Sequence, residues 1–370
     1  MLEPNYLKHT IICFFSQRGF LLDSCREKDM LGSMADIKIK INTDREVMVK
    51  QGDSLYATLA DAGVFVPSAC GGRGGCGLCR LTIPNGVESQ PFTKPEKHWL
   101  TDEDRTSGVR LSCQVKVLND LHVNIPEQLL KVKACQTQVV SLRNLTYDIK
   151  EVRLKLLKPD NMEFKPGQYI QVRIPPYELS RLPIFRTYSL ANDPAESGEI
   201  ELEVRYVPNG ISTTYIHQYL KEGDFLSING PHGNAFPSDG PGNIILIAGG
   251  SGMSPVKSIL LDMVARREKR TVRYYFGAKA LRDLFFVDLM REIEKKLADF
   301  RFVPALSEPM PEDNWSGERG LITDVVARHL PDAKDTMAYL CGSPLMIDAC
   351  LKVLKSKGMT DKHIYYDKFA

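Results

Sequence analysis

Three cysteines lie within ten residues of one another in a glycine-rich stretch of the chain. Cys70, Cys76 and Cys79 are separated mostly by glycine, and Cys113 follows thirty-four residues after the third. Glycine lets backbone N–H groups approach a sulfur cluster closely and donate hydrogen bonds that tune its potential. The four thiolates therefore predict a [2Fe–2S] cluster, held by a loop and one distant strand.

Two other uses of clustered cysteines fit this spacing less well. A structural zinc site typically has two closely spaced pairs of ligands, and no second pair accompanies Cys113. A disulfide framework is rare in the cytoplasm, which is the compartment that the sequence favours. The chain shows no signal-peptide order, and its apolar runs, such as residues 244–248, are far shorter than the ~20 residues of a membrane-spanning helix.

The composition is that of an ordinary globular protein and gives few functional clues. The 370 residues are 43% apolar and 25% charged, with 48 Lys and Arg against 46 Asp and Glu. A net charge of +2 gives no indication of a nucleic-acid partner. We therefore expect no nucleic acid, no membrane span and a cytoplasmic location.

A second group of residues is suited to binding a flavin. Arg186-Thr-Tyr188-Ser189 lies on a strand, and a turn that includes Gly210, Thr213 and Thr214 begins a helix. The guanidinium fork fits a pyrophosphate, a helix start with hydroxyl groups suits phosphate, and tyrosine and serine can pack on and bond a flavin ring. Taken alone, an Arg-x-Tyr pattern on a strand usually means an exposed arginine beside a tyrosine whose ring packs in the core. Together, the two segments favour FAD.

A third group lies where a buried strand runs through a glycine turn into a helix. The turn contains Gly249, Gly250, Gly252, Met253 and Pro255, and this junction binds the pyrophosphate of a dinucleotide in open α/β sheets. The alternative is a tight turn that serves only close helix packing.

A similar junction follows later in the chain, at Cys341-Gly342-Ser-Pro344. A cysteine at such a junction can belong to the dinucleotide site or can equally be a small buried hydrophobe. Both interpretations of Cys341 remain open at this point.

Periodicity and turn residues divide the chain into an extension and three domains. Residues 1–33 form an N-terminal extension without a sustained pattern, and residues 34–131 show the hairpin, helix and cysteine loop of a small α+β domain. Residues 132–239 contain short strands separated by Pro/Gly turns, which predict an antiparallel β-barrel with one helix over residues 213–221. Residues 240–370 alternate buried strands with helices, one of them expected over residues 280–297, which predicts a doubly wound parallel sheet.

The order of these motifs resembles the ferredoxin:NADP reductase superfamily with an N-terminal ferredoxin domain. Within it the chain is most similar to the F subunit of the sodium-translocating NADH:quinone reductase. The resemblance covers about residues 36–369 and rests on Ser68–Arg80, Arg110–Val115, Arg186–Asn192, Gly249–Pro255, Leu306–Trp315 and Cys341–Pro344.

The resemblance implies a β-grasp ferredoxin domain and a role for each group. It implies a [2Fe–2S] cluster on the four cysteines, FAD on Arg186, Tyr188, Ser189 and the Gly210 turn, and NADH on residues 250–255 and 341–344. It places Tyr188, Ser189 and Cys341 at the reacting centre and stacks Phe369 on the flavin. It also favours NADH as coenzyme. The residues alone do not decide between NADH and NADPH, because Lys279 and Arg282 could bind a 2′-phosphate and Asp283 would repel one.

The three groups predict an oxidoreductase that passes electrons from NADH through FAD and the cluster to a one-electron acceptor, such as an oxygenase component or another redox protein. The alternative is a component of a membrane quinone-reducing complex, associated peripherally at the inner face of the membrane. The F subunit of the sodium pump begins with a membrane-spanning helix, and this sequence contains none, so we expect a soluble reductase. A redox-sensing module is a third, less favoured interpretation.

Overall fold

The computed structural model describes residues 36–87, 90–234, 236, 240 and 242–369. The predicted extension, residues 1–33, lies outside these described residues. The described elements form three successive groups, which we call the cysteine domain, the barrel domain and the parallel-sheet domain.

The cysteine domain contains a small mixed sheet with short helices around it. Strand β1 pairs antiparallel with β2 and parallel with β5, while β3 pairs with β4. Alternation in β1 buries Ile37, Ile39 and Ile41, as its period of two requires. Its elements are β1 Asp36–Ile41, β2 Arg45–Lys50, α1 Leu55–Asp61, β3 Arg80–Thr82, α2 Lys94–Trp99, α3 Asp102–Thr106, β4 Val109–Leu111, β5 Leu121–Val123 and α4 Glu127–Leu130.

Two of these helices lie in a polar stretch that the sequence analysis left without structure. Thr93 and Thr101 each accept a hydrogen bond from the backbone three residues later, and Glu96 and Asp104 each accept one from the capping residue's N–H. These capping boxes satisfy the first N–H groups of α2 and α3. Helices this short depend on their caps because they bury little apolar surface.

The barrel domain is a six-stranded antiparallel sheet in the order β10-β7-β6-β11-β8-β9. Its core is aliphatic, with Leu154, Ile170 and Val172 fully buried. The helix expected near residues 213–221 begins two residues earlier and continues as a π-helical turn, Tyr215–Tyr219. The elements are β6 Lys133–Asn144, β7 Ile149–Lys158, β8 Tyr169–Ile174, β9 Ile184–Ser189, β10 Glu199–Arg205, α5 Ile211–Thr214 and β11 Phe225–His232.

The parallel-sheet domain has six parallel strands in the order β15-β14-β13-β12-β16-β17, with a hydrophobic core on each face. The strand order switches direction between β12 and β16, and such sheets bind ligands at the carboxyl ends of the two strands at this switch. The elements are β12 Asn243–Gly249, α6 Met253–Ala265, β13 Val272–Ala278, α7 Val287–Lys296, β14 Phe300–Leu306, β15 Glu318–Arg319, α8 Ile322–His329, β16 Thr336–Gly342, α9 Pro344–Ser356 and β17 Ile364–Lys368.

The structure corrects one helix of this domain. The expected helix over residues 280–297 is a 3₁₀ turn, Leu281–Asp283, followed by α7. Phe286 has a left-handed backbone, with φ of 54°, and this interrupts a continuous helix. Among the described residues, no helix combines the length and the apolar character needed to cross a membrane.

A buried ion pair ties α2 to β4 in the cysteine domain. Arg110 donates to both carboxylate oxygens of Glu96, at 2.7 and 3.1 Å, and both side chains are almost fully buried. Burial raises the pKa of Glu96, but the Arg110 guanidinium and the N–H groups of Thr93 and Leu111 outweigh burial and leave that pKa below its usual value. The pair therefore holds Glu96 ionised.

Replacing one partner of this pair is expected to destabilise the domain strongly. In Arg110→Ala the carboxylate stays buried without its partner, which costs about 3–5 kcal/mol of unfolding free energy. Urea unfolding, monitored through the loss of cluster absorbance, measures this decrease in stability. The exposed pair of Lys50 with Asp36 is the control, and Lys50→Ala should cost at most about 1 kcal/mol.

The same pair predicts a direction of pH dependence. Because the pKa of Glu96 is lower in the folded protein, its contribution is complete above the unfolded value of about 4.3 and is lost as the pH falls through the folded pKa. Glu96→Gln should therefore flatten the loss of stability on acidification below about pH 4. If the stability of Glu96→Gln falls below pH 4 as steeply as that of the wild type, Glu96 is not the group responsible.

Candidate functional site

The four predicted cluster cysteines lie close together as two pairs. Cys76 donates to the Cys70 sulfur at 3.5 Å, and the Cys79 and Cys113 thiols form the second pair. No three His, Cys, Asp or Glu side chains within the described ranges are arranged to hold a single metal ion. Two pairs of thiols suit a two-iron cluster, in which each iron takes two cysteines, better than one tetrahedral zinc ion.

Backbone N–H groups reach the sulfurs, as the glycine-rich loop predicts. The N–H groups of Arg73 and Gly75 bond the Cys70 sulfur, and that of Gly74 bonds the Cys113 sulfur. Gly74 has φ of +79° and Gly77 has φ of +67°, a conformation that favours glycine. The donor set therefore fits a cluster whose added negative charge needs nearby hydrogen-bond donors.

Each pair of thiols is arranged so that one sulfur stabilises the charge of the other. The hydrogen bond from Cys76 lowers the pKa of Cys70 to about 4, although burial opposes it. The bond from Cys79 lowers the pKa of Cys113 to about 7 in the same way. Thiolates are the form that binds iron, so one ligand of each pair is already disposed to ionise.

The cysteine loop packs directly against the predicted flavin strand β9. Arg186 Nη1 lies 3.3 Å from the Cys70 carbonyl oxygen and 2.7 Å from that of Phe185, and donates to both. A Cβ on Gly71 would lie 2.3 Å from Arg186 Nη1 and 2.5 Å from the Phe185 oxygen. Only glycine therefore fits at this contact. The Arg186 side chain is partly buried here, and this burial lowers the pKa of its guanidinium.

The two flavin segments come together at one end of the barrel. The Tyr188 hydroxyl lies 2.7 Å from Ser212 Oγ, and this bond joins β9 to the start of α5. Thr213 Oγ1 accepts from Val207 N–H at 3.1 Å, so its hydroxyl stabilises the turn itself. A Cβ on Gly210 would lie 2.6 Å from Thr213 Oγ1. These positions fit the expected flavin segments, and the structure singles out Ser212 of the Gly210 turn as the partner of Tyr188.

Two further predicted flavin residues are buried at the same end of the barrel. Ser189 ends β9 with 8% of its surface exposed, and Thr214 ends α5 with 6% exposed. The roles of Ser189, Thr214 and their neighbours toward FAD stay predictions.

The glycine turn after β12 lies against β16 and against the barrel. A Cβ on Gly252 would lie 2.1 Å from the Cys341 carbonyl oxygen, and one on Gly250 would lie 2.9 Å from Arg205 Nη1. The two predicted strand-to-helix junctions are therefore adjacent, as a dinucleotide site requires. Arg205, from β10, brings a guanidinium to this turn that the sequence analysis did not assign, and its Nε donates to Asp148 at 2.8 Å.

The remaining members of the turn lie on either side of this contact. Gly249 is followed by the 3₁₀ turn Gly250–Gly252, and α6 begins at Met253, with Met253 and Pro255 buried in its first turn. Gly342 has φ of +154°, and Pro344 begins α9 behind the capping residue Ser343.

The structure brings Cys341 and Phe369 close to each other. Phe369 N–H donates to the Gly342 carbonyl at 2.8 Å, and β17 pairs with β16 so that Asp367 lies opposite Cys341. The Cys341 thiol is fully buried, and burial raises its pKa well above the usual value. This burial agrees with a small core residue, while roles of Cys341 and Phe369 at the nicotinamide stay predictions.

Comparison with known proteins agrees with the three-domain organisation. Residues 39–118 match the model of a 2Fe-2S iron-sulfur cluster binding domain, residues 136–236 that of an oxidoreductase FAD-binding domain, and residues 246–352 that of an oxidoreductase NAD-binding domain. The predicted fold class and the three cofactors are thereby confirmed.

Curated relatives match over nearly the whole chain. The F subunit of the Na(+)-translocating NADH-quinone reductase of Neisseria gonorrhoeae is 35% identical over 92% of this chain and 94% of its own. The protein of that name in Klebsiella pneumoniae is 33% identical over the same shares.

Solved structures agree as well. A cytochrome P450 reductase from Amycolatopsis is 30% identical, with a TM-score of 0.73 over 90% of this chain and 98% of that one. A ferredoxin reductase of carbazole 1,9a-dioxygenase is 26% identical, with a TM-score of 0.68 over 91% and 99% of the two chains. The chain is thus an NADH-dependent oxidoreductase, and it belongs to the family of iron–sulfur flavoprotein reductases that includes the F subunit of the Na⁺-translocating NADH-quinone reductase.

Proposed function

We propose that this protein delivers electrons from NADH to a redox protein that accepts them one at a time from the cluster, as a reductase component of an oxygenase system. The observation that carries the proposal is the contact of the cysteine loop with β9, where Arg186 donates to the Cys70 carbonyl. This contact sets the cluster ligands beside the flavin segment. When bound, the flavin takes a hydride from NADH and passes single electrons onward.

The residues of the chain then have distinct tasks in this scheme. Arg186, Tyr188 and Ser212 orient the flavin at the end of the barrel, with the turn at Gly210 held by Thr213. The glycine turn and Arg205 bind the phosphates of NADH through backbone N–H groups and a guanidinium. Phe369, whose N–H donates to the Gly342 carbonyl, would lie beside the nicotinamide.

The cluster lies near a part of the surface that a protein partner can reach. Arg73 and Leu78 of the cysteine loop are exposed, and both are within three residues of a cluster cysteine. The solved reductases that resemble this chain serve a cytochrome P450 and a dioxygenase by name. Both facts support a protein acceptor for the electrons that leave the cluster.

A second candidate acceptor is a membrane quinone-reducing complex. The identity of 33–35% with the F subunits of Na(+)-translocating NADH-quinone reductases supports this function. In that case the protein would associate peripherally with the complex through the described domains.

The two acceptors are distinguished by NADH oxidation with the purified protein. We expect rapid reduction of cytochrome c, used as a one-electron probe, without membranes. We expect no stimulation when membranes from the source cells and a short-chain quinone are added. Quinone reduction that appears only with membranes would overturn the oxygenase-type proposal in favour of the second candidate.

Removing one cluster ligand should separate the two halves of the electron path. In Cys76→Ser we expect loss of cluster absorbance and of cytochrome c reduction, while NADH-dependent ferricyanide reduction through FAD stays within about twofold. Cys135→Ala is the matched control, because Cys135 is a buried cysteine of the barrel core and should leave both activities intact. Loss of both activities in Cys76→Ser would contradict a modular path.

Filling the glycine turn should weaken nucleotide binding. Gly252→Ala places a methyl group 2.1 Å from the Cys341 carbonyl oxygen, a backbone atom that cannot move freely. The KM for NADH should rise about tenfold or more. Gly198→Ala, whose nearest contact is 3.8 Å away, should leave KM unchanged. An unaltered KM in Gly252→Ala would argue against nucleotide binding at this turn.

A further inference from the structure

One face of strand β10 carries charged side chains toward the parallel-sheet domain. Glu201, Glu203 and Arg205 alternate along β10, and the two glutamates are each 4% exposed. They meet α6, whose first turn follows the glycine turn. Arg205 is exposed and pairs with Asp148, but the two buried glutamates need partners of their own, because a buried charge is costly unless it is paired.

Lys257 of α6 is the only described cation in contact with both glutamates. It donates to Glu201 Oε1, and its Nζ lies 3.3 Å from Glu203 Oε1. Glu201 has a second partner, Arg153, at 3.0 Å. Glu203 Oε1 accepts no hydrogen bond from any residue in the described ranges. Lys257 therefore neutralises Glu201 more completely than Glu203.

The hydrogen bonds at the other oxygen of Glu203 are also incomplete when the carboxylate is ionised. Ser254 Oγ lies 3.1 Å from Glu203 Oε2 and 3.0 Å from the Ser251 carbonyl oxygen. A serine hydroxyl has one hydrogen, so it can donate to one of these two acceptors at a time. If Glu203 is protonated, Glu203 donates to Ser254 Oγ and Ser254 donates to Ser251, and all three groups are satisfied.

Other groups around Glu203 do not supply a compensating charge. Tyr274 from β13 and Cys341 from β16 face it, and burial raises the pKa of both, so they stay neutral near pH 7. Glu201 on the same strand is a like charge. Burial first, and then Glu201, raise the pKa of Glu203 to about 7, against the opposing effect of Lys257 and Ser254. Burial and the neighbouring carboxylate thus favour the neutral form of Glu203, and only Lys257 and Ser254 favour the ionised form.

We propose that Glu203 is a positioning residue that takes up one proton when a dinucleotide binds at the glycine turn. The proposal rests on the proposed function of this turn as the NADH site. Ser254 connects the two, because it lies in the first turn of α6 and bonds both the turn carbonyl of Ser251 and Glu203.

Two physical effects favour uptake rather than release of the proton. The dinucleotide brings two phosphate charges to the start of α6, and nearby negative charge disfavours a second anion. The neutral carboxyl also completes the hydrogen bonds that hold Ser251 in place. The proton comes from solvent, adds to a carboxylate oxygen of Glu203, and returns to solvent when the nucleotide dissociates. The O–H bond of the carboxyl group is the only covalent bond that forms or breaks, and no electrons are transferred.

The test is calorimetric titration of the FAD-loaded, cluster-loaded protein with NAD⁺, which binds without reducing the flavin. At pH 7, titrations in PIPES and in imidazole, whose ionisation enthalpies differ, give the number of protons taken up. We expect a net uptake of up to one proton per NAD⁺ in the wild type, equal to the fraction of Glu203 that is ionised in the free protein. The dissociation constant should rise by up to about tenfold per pH unit between pH 7 and 9.

Glu203→Gln should abolish the proton uptake and flatten this pH dependence, since the amide cannot titrate. Glu199→Gln, at the other end of the same strand, is the matched control and should behave as the wild type. If Glu203→Gln does not fold, Ser254→Ala removes the connecting hydroxyl and should reduce the uptake by at least half. A purely structural role of Glu203 would change affinity at all pH values equally.

The outcomes separate this inference from the proposed function. Binding of NAD⁺ by the wild type without proton uptake would overturn the inference alone, as would undiminished uptake in Glu203→Gln. Absence of both NAD⁺ binding and NADH oxidation in the loaded wild type would overturn the proposed function of the glycine turn itself.

Discussion

The close contact between the cysteine loop and strand β9 is the constraint on which the rest of the arrangement depends. At Gly71 there is no space for even one methyl group between the loop and the Arg186 side chain. A loop that must both surround sulfur with N–H groups and lie against a neighbouring domain needs backbone on its outer surface. This requirement explains why the loop is rich in glycine beyond what cluster binding alone demands.

A similar absence of side chains occurs at the glycine turn after β12. Gly250 lies against Arg205 of the barrel, and Gly252 lies against the backbone of Cys341 within its own domain. The two contacts between domains, at Gly71 and at Gly250, thus place glycine against an arginine side chain. At Gly71 the geometry is specific, because a small displacement would break the hydrogen bond from Arg186 to the Cys70 carbonyl.

Much of the architecture could be predicted because its signals are local. Alternation in Ile37, Ile39 and Ile41 indicates a half-buried strand, and the grouped cysteines indicate their cluster without knowledge of the fold. The C-terminal strand β17 was not predicted, since a five-residue strand at the end of a chain carries little periodic signal. Its position is set by pairing with β16, which lies about twenty residues earlier and cannot be read from local pattern.

The charged face of β10 shows a different limit of sequence reasoning. The alternation Glu201, Glu203, Arg205 is visible in the sequence, but an alternating charged face normally indicates solvent exposure. Here the same pattern faces another domain, and only the position of Lys257 reveals it. Exposed and buried charges alternate along a strand with the same period, so only the structure identifies Lys257 as the partner of these glutamates.

Trp99 gives the cysteine loop an optical property that follows from its packing. Its indole N–H donates to the Gly74 carbonyl at 3.1 Å, and its ring covers Gly77, where a Cβ would lie 2.7 Å from the ring. The chain contains only two tryptophans, and the other, Trp315, belongs to the parallel-sheet domain. Because iron–sulfur clusters absorb where indole emits, we expect the fluorescence of Trp99 to be quenched in loaded protein and to recover as iron is lost. The intrinsic emission of the protein would then report, without any label, what fraction of a preparation carries its cluster.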